Sequence, residues 1–227
     1  MRWIEDNWLE SILGKPCLNL QAESSKKSIA LVMPDGASAF LTAKSDSGNL
    51  LLLRELQKLD FCLADTALSF TLHGLISSGS KARFAIPDDE LRVRQIARES
   101  FSQTRFHNDK NITKEVANKI KEEWAANYFS GNRGDILIVS ERNDEVAGFL
   151  LAIKTETSTV IDLIAVDSQH RKEGCGTEMI NKLAEQKGGD SKPIQVGTQI
   201  ANISSLVFYQ EMGFKMKSAQ YVFHKHL

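Results

Sequence analysis

The sequence predicts an α/β protein built on a mixed β-sheet, with a smaller half-domain ahead of a larger domain. Three observations lead to this prediction. Apolar runs of strand length alternate with helical patterns over residues 89–224, as in layered α/β folds. One of these strands leads through a glycine-containing loop into a helix. A strand–helix–strand unit also occurs twice along the chain.

The composition is that of a globular protein and excludes several functions. The chain has 227 residues, of which 42% are hydrophobic and 25% charged, enough for a large domain with a smaller one. The net charge of -1 gives no electrostatic footprint for nucleic acid or a membrane surface. No apolar run is long enough to cross a bilayer and no secretory signal is visible, so a cytoplasmic protein is expected. The scattered Cys17, Cys62 and Cys175 predict neither a disulfide framework nor a metal site.

A linker is expected at residues 77–83, which are small, polar and basic between two apolar regions. Pro87 and the acidic residues after it resemble the start of a new element. The sequence therefore predicts a small N-terminal α/β half-domain over residues 1–83 and a main domain over residues 84–227.

In the main domain, hydrophobic spacing sets the expected elements. Val116, Ile120, Trp124 and Tyr128 recur at helical spacing, and a polar turn at 142–144 predicts a hairpin. The expected helices are 89–102, 112–129, 176–186 and 202–212. The expected strands are 135–139, 145–154, 159–166, 193–196 and 219–224.

The N-terminal region contains a weak copy of the end of the main domain. Residues 47–61 align with residues 200–214 at a constant offset, and Asn49 falls on Asn202. Strands are expected on both sides of this first copy, at 40–43 and 67–72. The first copy has no glycine loop and carries Leu56 where the second carries Tyr209. If the repeat is real, the first copy has kept the residues that pack the unit and lost the residues expected to act in catalysis. Chance similarity is the alternative.

The loop after the strand at 159–166 has the features of a phosphate site. The first turn of a helix presents free N–H groups and the positive end of its dipole. Without side chains at Gly174 and Gly176, the backbone can approach a phosphate closely, and Arg171 and Lys172 add positive charge. The pattern is neither a Walker loop nor a dinucleotide fingerprint. A plain strand-to-helix turn is the alternative.

The helix expected at 202–212 has a polar residue at its start and an aromatic one on the same face. Asn202 is a typical N-cap, and Gly213 stands where glycine ends helices. Helical spacing places Asn202 and Tyr209 on one face, so both could contact one ligand. Taken alone, Tyr209 could equally be a core aromatic residue.

With these two motifs, the chain resembles the GNAT acetyltransferase superfamily over residues 88–227. The matching residues are Val166, Arg171, Gly174, Gly176, Asn202, Tyr209, Gly213 and Phe214. The resemblance implies a GNAT acyl-CoA N-acyltransferase fold preceded by a degenerate GNAT-like half-domain. It also implies acetyl-CoA as co-substrate, no metal, and direct transfer of the acetyl group to a primary amine.

The same resemblance implies roles for individual residues. Tyr209 would protonate the departing CoA thiolate, since a phenol stays protonated at neutral pH. Asp162 could accept the amine proton, directly or through water, or could be an ordinary solvated strand residue. The position of Cys175 within the phosphate loop disfavours it as a nucleophile. The residues expected to bind acetyl-CoA are Leu163, Ile164, Ala165, Val166, Arg171, Lys172, Glu173, Gly174, Cys175, Gly176, Thr177, Asn202 and Ser205.

Within that superfamily, the chain is similar to acyltransferases for TDP-linked amino-dideoxy sugars, including the TDP-fucosamine type. The similarity is carried by Phe101, Arg105, Phe106, Trp124 and residues 196–199, and it implies a small-molecule acceptor held by Arg105, Phe106 and His107. A homodimer is a further implication. The alternatives are acetylation of a protein N-terminus, an amino acid or a polyamine, and a non-catalytic acyl-CoA-binding module. Tyr209 favours an enzyme over the binding module.

Overall fold

A computed structural model describes residues 2–21, 38–74, 79–187 and 192–227. It confirms the predicted fold class, because the described strands form a mixed ten-stranded sheet with helices packed on both faces. In the described ranges, no helix is long and apolar enough to cross a membrane.

The strands and helices have the following bounds. The strands are β1 Arg2–Glu5, β2 Cys17–Gln21, β3 Phe40–Asp46, β4 Cys62–Leu72, β5 Arg83–Phe84, β6 Ile136–Arg142, β7 Glu145–Lys154, β8 Thr159–Val166, β9 Ile194–Gln199 and β10 Lys215–His226. The helices are α1 Asn7–Leu13, α2 Leu50–Lys58, α3 Glu90–Ser100, α4 Lys114–Phe129, α5 Cys175–Lys187 and α6 Ile203–Glu211. Short 3-10 turns occupy Pro87–Asp89 and Ser168–His170.

The strand order is β1-β2-β3-β10-β4-β9-β8-β7-β6-β5. The C-terminal strand β10 lies between β3 and β4 of the N-terminal region, and β4 pairs with β9 of the main domain. Strands from both sides of residue 83 therefore share one sheet. The domain division at that residue stays a prediction.

The expected linker is only partly described, since Ser77 and Ser78 lie outside the described residues. Its remaining part packs on α5. The Ser80 hydroxyl donates to the carbonyl of Glu178 at 2.6 Å, and the backbone N–H of Gly79 donates to the Glu185 carboxylate at 2.9 Å. These contacts attach residues 79–80 to the main domain.

The hydrophobic core lies on both faces of the sheet. On one face, α2, α5 and α6 cover apolar clusters centred on Leu56, Leu183 and Phe70. On the other face, α1, α3 and α4 cover clusters that include Phe106 and Phe149. Between these layers, Asp162 lies within β8, in the middle of the sheet, and the phosphate loop follows the end of that strand.

The predicted internal repeat is confirmed in the structure. β3, α2 and β4 form one unit, and β9, α6 and β10 form the other. The two units exchange their last strands: β4 lies beside β9, and β10 lies beside β3. Ala67 of the first unit pairs with Gln199 of the second, and Gln220 of the second pairs with Asp46 of the first. The repeat therefore forms an approximately two-fold symmetric centre in the sheet.

Candidate active site

Two neighbouring parallel strands separate in the middle of the sheet. β8 and β9 form only three residue pairs, and the last of these joins Ile161 to Val196. β8 then continues to Val166, and β9 continues to Gln199. Residues 163–166 pair with β7 on one side, and no strand of the described residues pairs with them on the other. Their free backbone edge can hydrogen-bond an extended ligand such as a pantetheine arm.

A β-bulge marks the point of separation. Leu151 pairs with Leu163, but the next pair joins Ala152 to Ile161, so Asp162 is the extra residue of β8. Bulges bend the strand that carries them. The bulge at Asp162 therefore accounts for the divergence of β8 from β9.

The loop after β8 ends in a helix N-terminus. The first intrahelical bond of α5 runs from the N–H of Glu178 to the carbonyl of Gly174 at 3.0 Å. The preceding N–H groups, of Cys175, Gly176 and Thr177, belong to the first turn, where a helix offers no internal partner. These groups fit a diphosphate. Cys175 itself is buried, which agrees with a structural thiol.

The two glycines of this loop are needed for different reasons. Gly174 has a φ of +84°, which strains any residue with a Cβ. A Cβ on Gly176 would lie 3.0 Å from the ring tip of Phe208 on α6. Gly176 therefore lets α5 and α6 pack closely beside the gap between β8 and β9.

The expected basic residues of the loop lie at the surface. Arg171 and Lys172 are both exposed, and Lys172 adopts a φ of +67°. Arg142, which no sequence motif indicated, holds the loop in place. Its guanidinium donates to the carbonyl of Glu173 at 2.6 Å and pairs with the Glu178 carboxylate at 3.0 Å. In the sequence, the one signal for this role is that Arg142 begins the predicted turn between β6 and β7.

The α6 side of the gap carries Asn202 and Tyr209. The side-chain amide oxygen of Asn202 accepts from the N–H of Ser205 at 3.3 Å, so Asn202 caps the helix as predicted. Tyr209 is buried in the same apolar cluster as Ile161 and Val196, the last pair before the gap. Its hydroxyl bonds no residue of the described chain, and burial raises its pKa. The phenol is therefore a protonated donor at neutral pH.

Asp162 does not have the surroundings of a general base. Its carboxylate accepts from Trp124 at 2.7 Å, from Tyr128 at 2.8 Å and from Arg133 at 2.6 Å. Burial acts to raise the pKa of Asp162, but the hydrogen bonds from Arg133 and Trp124 outweigh it, and the pKa is lowered. A carboxylate with three donors and a lowered pKa is a poor proton acceptor. Asp162 instead anchors the bulge to α4.

The expected acceptor residues lie in the loop between α3 and α4 but differ in their surroundings. Phe106 is buried among apolar side chains and cannot contact an acceptor. His107 hydrogen-bonds Thr104 at 2.7 Å and Asn118 at 2.9 Å. Arg105 stacks on Phe106, with 4.4 Å between the guanidinium carbon and the ring centroid. Of the three, Arg105 is the one with donors left for a ligand.

The far end of this loop is tied to the C-terminal strand. Asp109 Oδ2 hydrogen-bonds His224 Nδ1 at 2.7 Å and His226 Nε2 at 2.9 Å. No sequence pattern indicated this cluster, because strand β10 comes beside the loop only through the strand exchange. It fixes the loop against the sheet.

The chain matches a known protein family. The family described as Acetyltransferase (GNAT) domain matches residues 97–226, which is more than half of the chain. The match covers α4, the phosphate loop and Tyr209.

Among curated proteins, the chain is 29% identical over 139 residues to the spore coat polysaccharide biosynthesis protein SpsD of Bacillus subtilis. That alignment covers 61% of this chain and 48% of SpsD, so the chain spans about half the length of this relative. It is 25% identical over 207 residues to N-alpha-acetyltransferase 30 of Xenopus laevis, covering 86% of this chain and 70% of that protein.

Among solved structures, a tandem GNAT protein from the clavulanic acid biosynthesis pathway aligns with a TM-score of 0.55 and 13% identity. The alignment covers 82% of this chain and 64% of that one. This similarity concerns the fold alone, and it agrees with the arrangement in two halves.

Proposed function

The chain belongs to the GNAT acetyltransferase family, and from this premise we propose that it transfers an acetyl group from acetyl-CoA to the amine of a nucleotide-linked amino-dideoxy sugar. GNAT acetyltransferases use acetyl-CoA. The observation that carries the proposal is the gap between β8 and β9, because it opens beside the helix N-terminus at Gly174. An extended thioester arm and its diphosphate would fit these two features together.

The residues around the gap would have separate roles in the reaction. The free edge of residues 163–166 would align the pantetheine arm, and the amide of Asn202 would donate to it. The acceptor nitrogen attacks the thioester carbonyl, the new C–N bond forms and the C–S bond breaks. Tyr209 gives its proton to the departing thiolate and recovers one from solvent. The proton lost by the amine passes to water, since Asp162 is engaged by three donors.

Two observations support a sugar nucleotide as the acceptor. The relative SpsD is named for polysaccharide biosynthesis. In addition, Arg105 in the α3–α4 loop forms no salt bridge with a carboxylate of the described residues. A guanidinium left without a carboxylate suits the phosphates of such an acceptor. A polyamine acceptor would require the opposite charge in this loop.

A peptide N-terminus is the second candidate acceptor, because the chain is also similar to N-alpha-acetyltransferase 30 over most of its length. Free thiol released from acetyl-CoA would be measured with a panel of TDP-amino sugars, N-terminal peptides and polyamines. Turnover confined to one or more TDP-amino sugars is the expected result. Turnover with peptides and none with sugars would replace the first candidate by the second.

A further inference from the structure

Lys121 is a buried cation that forms no hydrogen bond or salt bridge with the described residues. Its residue is 8% exposed, although lysine is almost never fully buried unless it is paired. The ammonium lies 4.4 Å from the ring centroid of Trp124 and 5.1 Å from that of Phe101. Neither a carboxylate nor a carbonyl of the described residues hydrogen-bonds it. Lys121 is therefore held between two aromatic rings with its three donors unused.

Arg105 lies close enough to act on Lys121. Its neighbour Phe106 belongs to the same buried cluster as Ile120, the residue before Lys121. His107 bonds Asn118, less than one turn earlier on α4. Burial, and then the charge of Arg105, lower the pKa of Lys121 to about 8. The two cations thus face one region between the α3–α4 loop and α4.

No carboxylate of the described residues forms a salt bridge with Lys121 or Arg105. Asp162 is the acid closest along this face, and it is already bonded to Arg133, Trp124 and Tyr128. Asp6 and Asp65 act on Arg105 only at longer range, and neither forms a salt bridge with it. A largely buried ammonium without an ion-paired carboxylate is unfavourable, and the neighbouring guanidinium of Arg105 also repels it. An anionic ligand would remove both penalties.

Resting on the proposed function, we propose that Lys121 and Arg105 together bind a phosphate group of the acceptor. A planar guanidinium fork and an ammonium are the two donors that proteins use for phosphate. The site lies beside the acyl-transfer gap, because Trp124 links Lys121 to Asp162, where β8 separates from β9. Lys121 would select acceptors that carry a phosphate next to the amino sugar.

The test measures binding of thymidine diphosphate to the full chain by calorimetry, with coenzyme A present at saturation. In the proposed function, coenzyme A would occupy the helix N-terminus at Gly174 and so prevent the probe from binding there. We expect Lys121→Met and Arg105→Met each to weaken binding about tenfold or more. Lys121→Arg should retain it. Lys119→Met is the control, because Lys119 is an exposed lysine on the same helix. Unchanged affinity for coenzyme A shows that each variant is folded.

The possible results test the phosphate site and the proposed sugar acceptor independently of each other. Absent binding to the wild type, equal binding to Lys121→Met, or equally tight binding of glucuronate, a carboxylate probe, would overturn the phosphate site. If diphosphate binding depends on Lys121 but the protein turns over only peptides, the result would support the phosphate site and contradict the sugar acceptor. Turnover of a TDP-amino sugar with the same KM in Lys121→Met would support the acceptor and contradict the site.

Discussion

Asn49 and Asn202 cap two helices in the same way, 153 positions apart along the chain. Their backbone angles are φ -86°, ψ 72° and φ -85°, ψ 67°. Each side chain accepts from the N–H three residues later, at 3.2 Å and 3.3 Å. The helices also end alike, since Asp60 at φ +57° replaces Gly213 at φ +85°. The conformation of the repeat is kept, whereas Tyr209 is present in one copy only.

Substituting each asparagine in turn distinguishes the loss of a helix cap from the loss of a coenzyme A contact. Asn49→Ala and Asn202→Ala should each lower the free energy of unfolding by about 1 kcal/mol, because each removes one helix cap. Only Asn202→Ala should also weaken coenzyme A binding, since only the second copy borders the gap. Urea unfolding and coenzyme A titration measure the two effects. Equal loss of coenzyme A affinity in both variants would show that the first copy also takes part in binding.

Gly176→Ala should weaken coenzyme A binding about tenfold, because its Cβ would lie 3.0 Å from Phe208 and displace the helix N-terminus that holds the diphosphate. Fluorescence titration with coenzyme A measures the change. Gly48→Ala is the control, since a Cβ there meets nothing within 4 Å. Equal affinities in Gly176→Ala and the wild type would show that the diphosphate does not lie at this turn.

Asp162→Asn should lower stability by about 2 kcal/mol at pH 7, because Arg133 would lose its partly buried carboxylate partner. The folded-state pKa of Asp162 lies below its usual 3.8. The contribution is therefore complete above about pH 4 and is lost as pH falls through the folded pKa. Urea unfolding at pH 7 and pH 3 should show a difference between the proteins that shrinks in acid. A difference that stays constant would contradict the lowered pKa.

The activity should also persist at alkaline pH. The proposed acid Tyr209 must carry its proton, and burial raises its pKa above the usual 10. The rate kcat should therefore show no alkaline decline below about pH 10. A pH profile of thiol release at saturating substrates measures this. A fall in kcat centred near pH 8, absent from Tyr209→Phe, would indicate a phenol with a lowered pKa instead.

Periodicity in the sequence predicted much of this fold. The bounds of β7 and β8 agree with the prediction, because apolar runs ended by polar turns specify buried strands. The helices α3 to α6 lie within two residues of their predicted bounds. By contrast, β10 begins four residues before the predicted 219–224, because three of its first four residues are polar and all four are exposed. The short elements β1, α1, β2 and β5 were missed, because they carry too few apolar repeats.

Contacts between distant segments account for what the sequence did not show. The exchange of β4 and β10 depends on pairing between residues far apart, and no local pattern specifies that order. Asp162 is a second example. A carboxylate on a strand before the loop was consistent with a general base, but Arg133 and α4, which are distant in sequence, surround it in the fold. Glycine spacing and Asn202 pointed to the loop and the cap, because those features are local. Binding of acetyl-CoA by these residues stays a prediction.

The most direct test compares wild type with Tyr209→Phe in thiol release from acetyl-CoA, using whichever acceptor of the panel is turned over. We expect kcat to fall about a hundredfold, because the thiolate loses its proton donor. Coenzyme A affinity should stay within about twofold, and Tyr221→Phe, on β10, should behave as wild type. Unchanged turnover in Tyr209→Phe would contradict the assignment of Tyr209 as the acid at the gap between β8 and β9.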